Sequence, residues 1–116
     1  MKVSRGEIVE INYPLPNGIF KPHPVIVLSD YNVNDFEEAF ICAMISGVDY
    51  KDEFSYFLSD EMYIGKKLIK KCQVRCHLIS LFHQNDIIQK ISSLKKFYVD
   101  RIAAQIYKTC LSNCEG

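Results

Sequence analysis

The sequence predicts one small, mainly β domain over residues 1–116: a barrel or sandwich of short antiparallel strands followed by a single C-terminal helix. Short apolar or alternating runs recur between turn signals, the pattern of small closed β folds. The apolar period changes from two to about four after Ser93, as a helix requires. A chain of 116 residues supplies one modest core and is too short for two.

Each element follows from its residues. In EIVEINY, residues 7–13, Val9, Ile11 and Tyr13 share one face and Ile8, Glu10 and Asn12 the other. Pro14, Pro16 and Asn17-Gly18 then break the strand, which predicts an exposed loop over 14–23. PVIVLS, from Pro24, is a β-branched run suited to a buried strand, and DYNVNDFEE reads as a polar connector. AFICAMIS, residues 39–46, is the next strand; SGVDYKDE turns the chain, and FSYFLSDE alternates Phe54, Tyr56 and Leu58 with Ser55, Phe57 and Ser59. In KCQVRCHLI, residues 71–79, one parity holds Cys72, Val74, Cys76 and Leu78 for a core. The other holds Gln73, Arg75 and His77, a polar row with successive members about 6.5 to 7 Å apart, close to the phosphate spacing of an extended nucleic-acid strand. A solvated outer sheet face gives the same pattern. HQND turns, IIQKI is the last strand, and Leu94, Tyr98, Ile102, Ile106 and Cys110 mark a helix of about four to five turns with Ser92 or Ser93 as its N-cap.

Lysine plus arginine and aspartate plus glutamate both number 14, so no global field draws a polyanion and any such site must be a local concentration of charge. The densest is KKLIKK, residues 66–71, which reads as a solvated edge or as a phosphate-tracking rim. DFEE and KDE fit poorly against nucleic acid. No run of about 18 apolar residues and no secretion signal is present, so a cytoplasmic protein with no membrane partner is expected. Five cysteines suit a reducing compartment as free thiols. Cys72, Cys76, His77 and His83 suggest zinc only superficially, because strand residues four apart lie about 13 Å from each other.

RGEIVEINYP, KPHPVIVLSD, ICAMIS, QVRCHLI and IQKISSLKKFYVDRIAAQI, in this order and spacing, resemble the MazF/PemK-like toxins of bacterial toxin-antitoxin systems. The resemblance spans nearly the whole chain. It implies an SH3-like β-barrel with a C-terminal helix, a homodimer, and a metal-independent endoribonuclease with no cofactor, cleaving single-stranded RNA through its ribose 2′-hydroxyl. It also implies an antitoxin partner that blocks the groove, with operator DNA bound only together with that antitoxin. Carried over by position, the catalytic threonine falls on Ser46, the arginine of Gln-x-Arg-Thr on Arg75, and the arginine of Arg-Pro on His23.

Three residues depart from the family pattern: His23 for arginine, Cys76 for threonine and Leu78 for aspartate. Histidine loses the guanidinium's permanent charge and fork of donors, but an imidazole titrating near 6.5 is better suited to moving a proton. The catalytic candidates are therefore His23 for proton transfer, Arg75 for charge stabilisation and Ser46 for holding a phosphate oxygen or the reacting hydroxyl. Lys21, Gln73 and His77 are the RNA-binding candidates; Lys21 could restore the positive charge lost at His23. The alternative is a catalytically inactive member that binds an antitoxin or another protein target, as the similarly folded gyrase-poisoning CcdB toxins do. The tail CLSNCEG has no aromatic residue, which argues against that particular target.

Overall fold

The computed structural model describes residues 2–112. Seven strands, β1 (Glu7–Pro14), β2 (Phe20–Val27), β3 (Ala39–Ser46), β4 (Ser55–Phe57), β5 (Tyr63–Ile64), β6 (Gln73–His83) and β7 (Ile87–Leu94), form one sheet in the order β4-β6-β3-β2-β1-β7-β5. All neighbours are antiparallel. Helix α1 (Tyr31–Glu37) links β2 to β3, and α2 (Lys96–Ile106) follows β7, extended by a π-helical turn over Tyr107–Leu111. The mainly β class with a terminal helix is as expected, but the ladder is not closed: β4 and β5 end the sheet without pairing to each other, so "barrel" is loose.

Both faces of the central strands are buried, which explains their nearly continuous apolar runs. On one face Ile8, Ile26, Ala43, Ile45 and Val74 pack beneath Val99, Ile102 and Ile106 of α2. On the other, Val9, Ile11, Val25, Val27, Phe40, Cys42 and Met44 make a second core with Val3. Residues 2–112 contain no helix long and apolar enough to cross a membrane.

Four expectations are corrected. The loop expected over 14–23 is confined to 15–19, because Phe20 to Pro24 pair with β1 from Pro14 to Glu10. The amides of Leu28 and Gly6 show that even-numbered residues of β2 turn their polar groups to β3 and odd ones to β1. Pro22 and Pro24 therefore lack only donors aimed at β3, and β2 keeps β1 while its pairing to β3 stops at Val25. Second, DYNVNDFEE contains α1, a short helix ended by Glu38 in the left-handed region at φ 55°. Third, Ser92 and Ser93 belong to β7 and α2 starts at Lys96 with Lys95 as its N-cap; Leu94 N–H bonds to Gly6 and holds the strand to its end. Fourth, β6 bulges: Met44 faces Arg75 but Ala43 faces Ile79, leaving residues 76–78 out of the ladder.

Candidate functional site

The bulge decides which side chains meet. Before it, Gln73 and Arg75 share a face with Ser46 and Met44; after it, Ser80 and Phe82 take over that face. Strict alternation through KCQVRCHLI consequently fails beyond Cys76. Leu78, expected in the core, is exposed, and His77 is pushed out against Phe54, with ring centroids 4.8 Å apart.

His23 reaches the same face from β2. The register Val25 to Met44, continued by two residues, sets His23 opposite Ser46 just where Pro24 ends the hydrogen bonding. The result is a cavity of about 260 Å³ lined by Tyr13, His23, Ser46, Tyr50, Arg75 and His77, with aliphatic neighbours. It brings together all three catalytic candidates and one RNA-binding candidate. Lys21 shares His23's parity on β2 but does not line the cavity. His23 is half-buried; burial pushes its imidazole below the usual 6.5 and Lys21 adds to this, while the Ile45 backbone carbonyl, left without a partner amide by Pro24, pulls the other way. Ser46 closes the end of β3, its Oγ accepting the Val48 amide at 3.2 Å.

Gln73 and Arg75 are not on a solvated face. They are 2% and 6% exposed, covered by the loop between β3 and β4, residues 47–54. Gln73 Nε2 donates to the Val48 carbonyl. The Tyr50 ring lies 3.8 Å from Arg75 Cζ, and Asp52 takes the guanidinium in a fork: Nη1 to Oδ1 at 2.9 Å and Nη2 to Oδ2 at 3.0 Å. Ser55 Oγ accepts from Nη1 at 2.6 Å. The Arg75 hydrogen bond first, and after it the Phe54 amide and the guanidinium charge, hold the Asp52 carboxyl below its ordinary range against the opposing effect of burial. Beneath the loop Gln73 Oε1 and Arg75 Nε are buried without a hydrogen-bond partner. Such groups cost about 1 to 3 kcal/mol each.

Sequence reasoning missed Asp52 and Tyr50. KDE presents only charge unsuited to RNA, and nothing in its spacing reveals which arginine an acidic loop residue will find.

A larger hollow of about 690 Å³ lies on the other side of the same loop, lined by Phe57, Gln73 and Lys71 with Asp49, Asp60 and Glu61. Three carboxylates make it the poorer seat for a phosphate, despite its size. The KKLIKK loop forms a separate shallow depression with Pro24, in which Ile69 is 98% exposed. Burial pushes the Cys42 thiol up to about 12 and Cys76 to about 11, so neither is a thiolate nucleophile. Cys114, the fifth cysteine, and most of the tail discussed above lie outside the described residues.

The fold and cavity define a class: a small antiparallel sheet with a terminal helix, presenting an imidazole, a hydroxyl and a guanidinium around one hollow. The family described as "PemK-like, MazF-like toxin of type II toxin-antitoxin system" matches residues 4–109, and the chain belongs to it. Among solved structures the chain is similar to MazF from Deinococcus radiodurans, with 11% identity, 94% of this chain and 96% of that one covered, and a TM-score of 0.75. It is also similar to a MazE-MazF complex from the same organism, with 11% identity, 94% and 95% covered, and a TM-score of 0.72. A third likeness is to an endoribonuclease in complex with its cognate antitoxin from a Mycobacterial species, with 8% identity, 91% and 92% covered, and a TM-score of 0.72. At these identities the structural likenesses carry the fold. A search of the curated proteins found no match.

Proposed function

We propose that this toxin-family protein is an endoribonuclease that cleaves single-stranded RNA without a metal, and that the cavity between β2, β3 and β6 is its active site. One observation carries the reading: His23, Ser46 and Arg75, from three different strands, line the same hollow of about 260 Å³. Neutral His23 accepts the proton of the ribose 2′-hydroxyl; the 2′ oxygen bonds to phosphorus, the bond from phosphorus to the 5′ oxygen breaks, that oxygen takes a proton from water, and the imidazolium returns its proton to the solvent. The products are a cyclic phosphate and a 5′-hydroxyl, with no net gain or loss of water. Arg75 stabilises the charge growing on the phosphorane and Ser46 holds a phosphate oxygen. Because the nucleophile belongs to the substrate, the protein's share is positioning and charge. Lys21 and His77, both exposed, contact the flanking strand, whereas Gln73, buried and bonded to the Val48 carbonyl, holds the 47–54 loop instead of touching RNA. By the same family reading the protein acts in the cytoplasm as a homodimer, is silenced by an antitoxin, and touches operator DNA only with it.

A specific observation favours the second reading, a non-cleaving member that binds a protein partner: the donor fork of Arg75 is filled by Asp52. The deciding experiment incubates purified protein, free of antitoxin and with chelator present, with mixed-sequence RNA, beside His23→Ala and Arg75→Ala. Cleavage by the wild type and its loss in both variants is expected. Intact RNA throughout would leave the binding reading, and unchanged cleavage in both variants would remove these residue roles.

A further inference from the structure

We infer that the loop of residues 47–54 is a latch that holds the site shut, with the Asp52 carboxylate as an internal occupant of the Arg75 fork that a substrate phosphate must displace. The inference rests on the reading of Arg75 as the phosphate ligand. A carboxylate and a phosphodiester each present two oxygens to the paired N–H groups of a guanidinium, so the two compete for one geometry. Asp52 uses both oxygens on Arg75 at 2.9 and 3.0 Å, and Tyr50 covers the face of the same group at 3.8 Å.

Two further observations separate a latch from a permanent wall. The strap is lightly anchored: residues 47–53 are all exposed, and the larger side chains among them add nothing to either core. Segments with so little apolar burial open at low cost. The closed position also strands two polar atoms directly beneath it, Gln73 Oε1 and Arg75 Nε. Opening the strap gives both access to water or to a ligand, so closure is opposed from below and held by the Asp52 fork, the Tyr50 ring on Arg75 and the two Val48 hydrogen bonds to Gln73 and Ser46.

Asp52→Asn tests this with little change of shape, since the amide oxygen can still accept the Phe54 amide, which now meets Asp52 Oδ1 at 3.0 Å. Asp52→Ala removes the group altogether. Binding of a mixed-sequence 2′-O-methyl single-stranded RNA, which cannot be cleaved, is measured on the full chain at several salt concentrations, with hydrogen exchange of amides 48–53 read in parallel. Both variants are expected to bind about threefold to tenfold more tightly than the wild type, the effect of losing one ion pair whose carboxylate is only partly buried, and to exchange those amides faster. Unchanged or weaker binding in both overturns the latch, since a carboxylate that only orients Arg75 gives that result. The readout does not depend on cleavage: tighter binding without any cleavage of ordinary RNA keeps the latch and removes the chemistry, whereas cleavage with binding unmoved by Asp52 does the reverse.

Discussion

Tyr13 and His23 stand on adjacent strands with ring centroids 5.7 Å apart, one tilted at 41° to the other, so the imidazole has an aromatic wall on its β1 side and the open end of β3 on the other. That placement sets its protonation. Burial, then Lys21, lowers the His23 pKa from 6.5, and NMR titration is expected to give a midpoint below that value, with the ring neutral at pH 7. In the proposed reaction the neutral ring accepts the 2′-hydroxyl proton, so cleavage should fall as pH drops through the His23 midpoint. The sign for stability is the same. The unfolded chain binds this proton more readily, so the contribution is complete above about 6.5 and is lost as pH falls toward the folded midpoint. A midpoint above 6.5 would contradict the burial argument.

Arg75→Lys keeps a positive charge but has no fork. The variant can form at most part of the array now made to Asp52 Oδ1, Asp52 Oδ2 and Ser55 Oγ, and an ammonium lacks the fixed coplanar pair of donors that a guanidinium presents to a phosphate. Cleavage of RNA is expected to fall about tenfold to a hundredfold, in line with loss of one charge-assisted hydrogen bond at about 1.5 to 3 kcal/mol. Single-turnover rates at saturating RNA check it. A rate equal to that of the wild type would mean that Arg75 acts as a charge only.

Much of this arrangement is legible in the residues, and the boundary of what is legible has physical causes. AFICAMIS is read to the residue as Ala39–Ser46 because β-branched apolar runs bounded by polar turns leave few alternatives. His23, Ser46 and Arg75 come together as position along the family's motifs implies. What fails is what depends on a partner distant in sequence. Strand parity cannot foresee the three residues at 76–78 that have no partner on β3, which reverse the exposure of Leu78. Nor does it foresee that Arg75, polar and correctly faced, ends up under a loop because Asp52 lies 23 residues earlier. Pro22 sits with Pro24 in a strand and not in the loop expected over 14–23, since the donors the two prolines lack are needed only on the side where β3 has already left.

Gly6 shows how a single small residue positions the terminal helix. Its φ is +96°, and a Cβ there would lie 3.2 Å from Val99 Cγ2 and 3.4 Å from the Leu94 carbonyl. Its amide donates to Val27 at 2.8 Å and its carbonyl accepts from Leu94 at 2.9 Å, so the backbone cannot turn away without loss. Gly6→Ala is expected to destabilise by about 1 to 3 kcal/mol through the strained φ alone, with the Val99 contact adding to it. Urea unfolding monitored by far-UV circular dichroism measures the change. A loss below about 0.5 kcal/mol, the range of ordinary surface substitutions, would show that this junction yields.

Asn34 is the polar group on which α1 turns. It is 4% exposed, and its amide nitrogen donates to the Val3 and Ser29 carbonyls, each at 2.9 Å, while its oxygen meets Ser29 Oγ at 2.5 Å. Ser29 Oγ in turn accepts the Ile41 amide at 2.8 Å, so Asn34 and Ser29 together tie the N-terminal segment, the segment after β2 and the start of β3. Asn34→Ala removes both donors and leaves the Val3 carbonyl, in a buried position, without this partner. The expected cost is about 1 to 3 kcal/mol, and because the tie is remote from the cavity, the RNA cleavage rate of the folded variant should stay near that of the wild type. Thermal unfolding and a digest on the same sample separate the two effects. Unchanged stability would mean that water replaces the side chain at Val3, whereas lost cleavage at full stability would mean that α1 reaches the site through β3.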